Sequence, residues 1–303
     1  MIRNKTLFIL GAGASKPYDY PSGRGLKKLV LQNTSKQMGK NNHDLYDWLS
    51  IDPKKVIEFN KKLSTGPYGT VDELLIKQKE FKDVGTTAIA TVLTTLENYD
   101  RFTHDDDNWY LHLFQRMTID APTLDDFYDN NVNFITFNYD RSLEHYLYTS
   151  LAEMYPEDSE MVVDALKSID IIHFHGCLCD LPFQNPSGFK YEPKFNFNKI
   201  SAASENIKFP SLEKADKKLK HRIDQLIFTS KIICFLGFGY HELNMRELSF
   251  FDFGAVDQQI IGSALGFLKG DRERVNEKAT FSIKFGDENH ENERFLRENL
   301  TLT

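Results

Sequence analysis

Thr6-Leu7-Phe8-Ile9-Leu10-Gly11-Ala12-Gly13-Ala14-Ser15 joins a compact, mostly apolar run to a turn of small residues. Such a segment is typical of a buried strand that turns directly into a helix. Glycines allow the backbone to approach a pyrophosphate, and a helix N-terminus supplies N–H donors and a positive dipole end. The segment therefore predicts a nucleotide-binding turn from Gly11 to Ser15. Taken alone, it also fits a tight turn that binds no ligand.

A standard NAD dehydrogenase fits this segment badly. The dehydrogenase fingerprint has a third small residue where this chain has Lys16. It also has an acidic residue after a second strand, about 20 residues further on. Helical patterns occupy that place here, so we expect a different kind of nucleotide site.

Further short apolar runs follow along the chain, and helical patterns lie between them. These candidate strands are Val132–Phe137, Asp170–Phe174, Lys231–Leu236, Gln259–Ser263 and Phe281–Phe285. Strands that alternate with helices predict an α/β fold with a Rossmann-like, mostly parallel sheet covered by helices. We expect a single domain over residues 1–303.

Two segments stand apart from this alternation. Residues 26–120, roughly, are predicted to form a helical insertion after the first strand, with breakers such as Gly66-Pro67 and Gly85 between its helices. The polar-aromatic segment at roughly residues 181–210 is expected to be irregular. It is either a lid over a binding site or a surface loop whose aromatic residues pack locally.

The composition limits the class of protein. Hydrophobic residues make up 41% of the 303 residues, enough for a sizeable core. The net charge is −7 without a dense basic block, which argues against direct nucleic acid binding. Three cysteines are too few for a disulfide framework. No signal peptide pattern and no run near the ~20 apolar residues of a membrane span is present, so we expect a cytoplasmic protein with no membrane partner.

Asn138-Tyr139-Asp140 follows the second candidate strand directly. In open α/β sheets ligands bind outside the carboxyl ends of the strands. Asn138 at such a place can hold a ribose hydroxyl or a water, and Asp140 can accept from an amide or a hydroxyl. Asp140 is also well placed to cap a helix that begins at Arg141.

His173-Phe174-His175-Gly176 ends the third candidate strand. Histidine suits a catalytic base, because its ordinary pKa of about 6.5 is near working pH. Cys177 and Cys179 continue the same alternation, which raises the alternative of a metal cluster. We expect no metal, because Gly176 interrupts the strand and the chain has no second cysteine pair.

Gly237-Phe238-Gly239-Tyr240 forms a second glycine turn after the fourth candidate strand. Singly it fits an ordinary turn. All four motifs, however, follow strands of one alternating pattern, so they are expected to share one crevice. The residues thus predict a nucleotide site with an amide and an imidazole facing it.

The ordered set GAGAS, NYD, HFHG and LGFGY resembles the sirtuin-like NAD-binding family, specifically its bacterial branch in anti-phage defence. The resemblance runs from Gly11 to Tyr240. It implies NAD as substrate, Asn138 and His175 as catalytic residues, and contacts to NAD from a wider set. That set is Gly11, Ala12, Gly13, Ala14, Ser15, Asp140, Gly237, Gly239 and Tyr240. His173 receives no role.

Two departures from the family bear on the reaction. Deacylating sirtuins carry a zinc module of two Cys-X-X-Cys pairs, which Cys177, Cys179 and Cys234 cannot supply. The expected reaction is therefore hydrolysis of NAD to nicotinamide and ADP-ribose, with a cyclised product left open. His241-Glu242 stands where the defence branch usually has an Asp. The alternatives are a non-catalytic sensor of NAD or ADP-ribose, and a zinc-free protein deacylase or ADP-ribosyltransferase.

An unrestrained NADase would be toxic to its own cell. The resemblance therefore implies an effector of abortive infection that depletes NAD and is gated by assembly. The expected partners are further copies of the chain, or a defence protein that senses infection, such as an ATPase or a nuclease-related subunit.

Overall fold

The computed structural model describes residues 1–39, 44–103, 106–158, 160–209, 217–248 and 257–302. Its centre is a sheet of six strands: β1 (Thr6–Leu10), β2 (Val132–Thr136), β3 (Ile171–His173), β4 (Ile232–Leu236), β5 (Gln259–Gly262) and β6 (Lys284–Phe285). The strand order is β3-β2-β1-β4-β5-β6, and every neighbouring pair is parallel. This is the Rossmann strand order, so the predicted α/β fold is confirmed.

Helices account for most of the remaining described chain. They are α1 (Gly23–Gly39), α2 (Asp44–Trp48), α3 (Pro53–Thr65), α4 (Val71–Lys77), α5 (Lys82–Thr94), α6 (Trp109–Thr118), α7 (Leu124–Phe127), α8 (Ser142–Met154), α9 (Val162–Lys167), α10 (Phe197–Asn206), α11 (Lys217–Thr229), α12 (Glu242–Glu247), α13 (Lys269–Lys278) and α14 (Asn292–Asn299).

The sheet is covered on both faces, because successive side chains of a strand point to opposite sides. Phe8 and Leu10 of β1 belong to one hydrophobic core with the helices of the insertion and with α8, α10 and α14. Leu7 and Ile9 belong to a second core with α11, α12 and α13. All five residues of β1 are buried, which explains why its sequence reads as a continuous apolar run.

The helical insertion predicted at residues 26–120 is present as α1 to α6 and shares its core with the sheet. Its centre is α5, which is buried from Val84 to Thr94. The prediction that Gly85 separates two helices is wrong, because this residue lies inside α5. A Cβ at Gly85 would lie 2.5 Å from Leu75 Cδ2, so its small size serves close helix packing.

The glycine turn after β1 does not open directly into an α-helix, contrary to the expectation. A short 3-10 helix from Lys16 to Tyr18 follows the turn, and α1 begins only at Gly23. Pro17 lacks a donor N–H, and Asp19 has a positive φ of 64°, which ends the 3-10 helix. Ser15 is therefore not at the N-terminus of an α-helix, and no α-helix dipole acts at this turn.

The polar-aromatic segment is more ordered than the sequence pattern predicts. It contains α10, and its last residue, position 210, lies outside the described residues. The Arg141 side chain donates to the backbone oxygens of Asp180, Phe189 and Lys190, and Lys199 Nζ donates to that of Lys190. The bonds from Arg141 tie the segment to the start of α8, and the Lys199 bond joins two parts of the segment itself.

Those two cations share one buried anion. Glu97 lies 2.7 Å from Arg141 Nε and 2.6 Å from Lys199 Nζ, and all three side chains are buried. Buried charges are tolerated when they are paired and fully hydrogen-bonded.

In the part of the chain that is described, no helix is long and apolar enough to cross a bilayer.

The turns after β1 and β4 pack backbone against backbone. Gly11 N donates to Leu236 O at 3.0 Å, and Gly13 N donates to Gly237 O at 2.9 Å. A Cβ on Gly237 would lie 1.9 Å from Ala14 N, and Gly237 has φ +57°. Both glycine turns are therefore required by this contact, whether or not a ligand binds there.

Gly237→Ala is expected to destabilise the fold far more than Gly266→Ala. Both glycines have a positive φ, but a Cβ on Gly266 would meet nothing within 4 Å. Gly266→Ala isolates the cost of the left-handed backbone, about 1–2 kcal/mol. Gly237→Ala adds a backbone clash and should at least double that loss in the free energy of unfolding, measured by urea denaturation. Equal losses would show that the two turns can separate without cost.

Candidate functional site

A cleft of about 610 Å³ opens where the strand order reverses, at the carboxyl ends of β1, β2 and β4. Its volume lies in the range of small-molecule sites, about 300–1,000 Å³. Most of the residues singled out from the sequence line it: Gly11, Ala12, Gly13, Ser15, Asn138, Asp140, His175, Gly237 and Gly239. The expectation that the four motifs share one crevice is met in the geometry.

Two of the expected contact residues lie elsewhere. Ala14 is buried, and its backbone oxygen accepts from Trp109 Nε1 at 2.7 Å. Tyr240 is buried among Phe235, Phe238 and Phe267, and its hydroxyl donates to Ser263 O. Both residues support the glycine turns from behind, and neither lines the cleft.

Asn138 presents one particular atom to the cleft. Its Nδ2 donates to Gly11 O at 3.0 Å and to Ser15 Oγ at 2.9 Å, which uses both amide hydrogens. The backbone oxygen of Gly11 can only accept, so the amide orientation is fixed. Oδ1 has no hydrogen-bond partner among the residues described. The group available to a ligand is therefore an acceptor, suited to a hydroxyl or a water.

Asp140 is tied into a buried network behind Asn138. Its carboxylate accepts from Ser142 N at 3.2 Å and from the Ser142 hydroxyl, and it also bonds to Ser15. Burial raises the pKa of Asp140, and the hydrogen bonds from Ser142 and Ser15 offset part of that rise. The helix begins at Ser142 rather than Arg141, so Asp140 caps its first N–H from just outside.

His175 enters the cleft just beyond the end of β3. Its ring packs edge-on against Phe137, with 5.2 Å between ring centroids. Gly176 follows with φ +72°, and Lys208 N donates to His175 O at 2.8 Å. Nε2 lies 3.7 Å from Oε2 of Glu247, at the end of α12. The imidazole is thus held by its contact with the Phe137 ring and by its backbone, and one of its nitrogens faces a carboxylate.

His173 points away from the cleft, although it shares the alternation of His175. Its Nδ1 bonds to Asn138 O at 3.0 Å, and its Nε2 bonds to the Glu144 carboxylate. Burial alone would lower the pKa of His173, but the Glu144 carboxylate and the bond to Asn138 O raise it above its ordinary value. His173 Nδ1 donates to Asn138 O, because a carbonyl oxygen can only accept, and this bond holds the backbone of Asn138 in place.

The helical insertion forms a wall of the cleft that the sequence motifs did not reveal. Arg24 from the first turn of α1 and Asp72 and Glu73 from the first turn of α4 line it. Tyr139 donates to Asp72 Oδ1, which joins this wall to the Asn-X-Asp element. Among the described residues of the 181–210 segment, only Phe209 lines the cleft. Arg24 directly follows Pro21-Ser22-Gly23 in the sequence, and these three residues also line the cleft.

The cysteines after β3 lie where burial disfavours the thiolate. Burial raises the pKa of Cys177 to about 12 and also raises that of Cys179. The protonated thiol is thus favoured over the thiolate, which is the form that binds metals. Within the described ranges, no group of three or more His, Cys, Asp or Glu side chains is arranged to hold a metal ion.

No family model and no curated protein matches this chain.

His173→Gln is expected to cost more stability at acidic than at alkaline pH. A raised folded pKa gives stability that is fully present below the ordinary value of about 6.5 and is lost as pH rises through the folded value. The difference in free energy of unfolding between wild type and variant should thus shrink from about pH 5.5 to about pH 9. The decrease should be about 1.4 kcal/mol for each tenfold difference in proton affinity of His173 between the folded and unfolded protein.

Urea denaturation at both pH values measures this difference. His221→Gln, at an exposed position of α11, is the matched control and should show no such trend. A difference for His173→Gln that is the same at both pH values would mean that His173 is neutral in the folded protein.

Proposed function

We propose that this protein is an NAD⁺ glycohydrolase, which cleaves the nicotinamide–ribose bond to give nicotinamide and ADP-ribose. The observation that supports it best is the convergence of Asn138, His175 and two glycine turns in one cleft at the switch point of the sheet. The resemblance of the four motifs to sirtuin-like NADases of anti-phage defence points to the same chemistry.

The bond to be broken joins C1′ of the ribose to a pyridinium nitrogen. The bonding pair leaves with nicotinamide, which becomes neutral, so the leaving group needs no general acid. The sugar acquires oxocarbenium character, as in glycoside hydrolysis. A water oxygen then bonds to C1′, and one of its protons must be accepted.

Asn138 supplies an acceptor that is fixed before the ligand arrives. Since Nδ2 is bonded to Gly11 O and Ser15 Oγ, Oδ1 is left to orient a ribose hydroxyl or the attacking water. A group held in place by the protein loses little freedom on reaction, which is how orientation lowers the barrier.

His175 is the proton acceptor in this scheme. It faces the cleft on a clamped backbone, whereas His173 is occupied by Glu144 and Asn138 O. The glycine turns allow close approach of a dinucleotide backbone, although the contact between the turns uses the N–H groups of Gly11 and Gly13. Arg24 at the cleft wall supplies a cation for phosphate oxygens.

Purified protein incubated with NAD is expected to release nicotinamide, quantified by chromatography, whereas Asn138→Ala and His175→Ala release little. Loss of a general base lowers rates by about 10²–10⁴-fold. His221→Ala, at an exposed position of α11, should keep the wild-type rate. Full activity of His175→Ala would refute its assignment as the base.

Binding measured by calorimetry separates the remaining possibilities. NAD that binds to wild type without release of nicotinamide would indicate a sensor, or an enzyme that awaits its activator. Release that depends on an acylated peptide would indicate a deacylase instead.

The activity is proposed to be gated by assembly, as a cytoplasmic effector that depletes NAD during infection. We expect the active form to be a homo-oligomer or a complex with a partner that senses infection. Light scattering on protein of measured activity tests self-assembly. A monomer that is fully active would contradict it.

A further inference from the structure

A carboxylate that no sequence motif singled out faces the proposed base. Glu247 lies at the end of α12 and lines the cleft beside His175. Its Oε2 is 3.7 Å from His175 Nε2, and the two side chains are only 16% and 14% exposed. We infer that Glu247 is a positioning residue that orients His175 and stabilises the imidazolium formed when His175 accepts a proton. This inference rests on the proposed function.

The first argument is that Oε2 of Glu247 is buried and has no hydrogen-bond partner among the described residues. A buried acceptor left unsatisfied is destabilising, and more so when it is charged. The His175 ring lies beside this oxygen, with Nε2 at 3.7 Å. A small shift that brings Nε2–H to hydrogen-bond distance would satisfy the carboxylate, and such bonds often tighten only when substrate binds.

The second argument is that the backbone places Glu247 firmly. Lys220 Nζ of α11 donates to Glu247 O at 3.0 Å, which joins the end of α12 to α11. Met245 on α12 is fully buried in the second hydrophobic core, which α12 shares with α11 and α13. The carboxylate therefore reaches the cleft from an anchored helix end, while His175 reaches it from β3.

The third argument is chemical. With the Nε2 proton directed at Glu247, the other ring nitrogen of His175 is free to accept a proton from water. The ring then becomes a cation beside a carboxylate, so the attraction between them grows as the proton is transferred. An interaction that strengthens along the reaction raises kcat and leaves substrate binding largely unchanged.

Glu247→Gln is the decisive variant, because it keeps the shape of the side chain and removes its charge. We expect kcat for nicotinamide release to fall by roughly 10- to 1,000-fold, with KM for NAD within about twofold of wild type. Glu247→Asp, which keeps the charge on a shorter side chain, should retain more activity than Glu247→Gln.

Glu298→Gln is the matched control. Glu298 lies 3.3 Å from His290 Nδ1, so it is also a carboxylate beside a histidine, but neither residue lines the cleft. This variant should keep the wild-type kcat and KM. A rise in KM at unchanged kcat for Glu247→Gln would overturn the positioning role, since it would place Glu247 in substrate binding instead.

A second readout does not depend on NAD. The ¹⁵N chemical shifts of the His175 ring, assigned with a His175→Gln variant, should change in Glu247→Gln and stay unchanged in Glu298→Gln. Unchanged shifts would overturn the pairing even if activity fell. If the wild-type protein releases no nicotinamide but the shifts still change in Glu247→Gln, the pairing is supported and only the proposed function is contradicted.

Discussion

The backbone contact between the turns after β1 and β4 is the constraint on which the cleft depends. Gly13 N and Gly237 O are bonded at 2.9 Å, and a side chain at Gly237 would run into the backbone at Ala14. This contact fixes the distance between the turns after β1 and β4 at the switch point of the sheet. Asn138 then bonds to Gly11 O, which adds the end of β2 to the same assembly. Three strand ends are thereby held in one arrangement, and the glycines that look like a ligand signature are first a packing requirement.

Three buried charged side chains anchor the segment that follows β3. Glu97 is paired with both Arg141 and Lys199, and the two cations also donate to backbone oxygens of the segment after β3. Removing one partner of a buried pair leaves an uncompensated charge, which costs about 3–5 kcal/mol. The segment is thus held by several bonds to Glu97, just beyond the end of α5, and to Arg141, just before the start of α8. A lid must leave its closed position at low cost, so this anchoring argues against a lid. Among the described residues of that segment, only Phe209 lines the cleft.

Local sequence pattern was enough to predict the strands and the motif residues that line the cleft. The predicted bounds of β1 match the structure, and the residues after β1, β2, β3 and β4 lie together because parallel strands end at one edge. The motif of Tyr240 gives no information on which face this residue occupies, so its place behind the turn could not be predicted. Gly85 resembles a breaker because a glycine that admits Leu75 looks the same in sequence as one that ends a helix. Glu247 and the wall formed by Arg24 and Asp72 depend on contacts between distant segments, which no short motif records.

The distribution of satisfied and unsatisfied groups in the cleft explains how such a site can act on a ligand. Asp140 and the amide hydrogens of Asn138 are committed to internal bonds, and His173 is committed to Glu144. These groups form a rigid frame that needs no reorganisation when a ligand arrives, which is the condition for electrostatic stabilisation of a transition state. Among the described residues, Asn138 Oδ1, the His175 ring and Glu247 Oε2 are cleft groups without a full set of partners. They comprise an amide oxygen, an imidazole and a carboxyl group, and together they suit the proposed reaction, in which a water loses a proton while positive charge develops on a sugar.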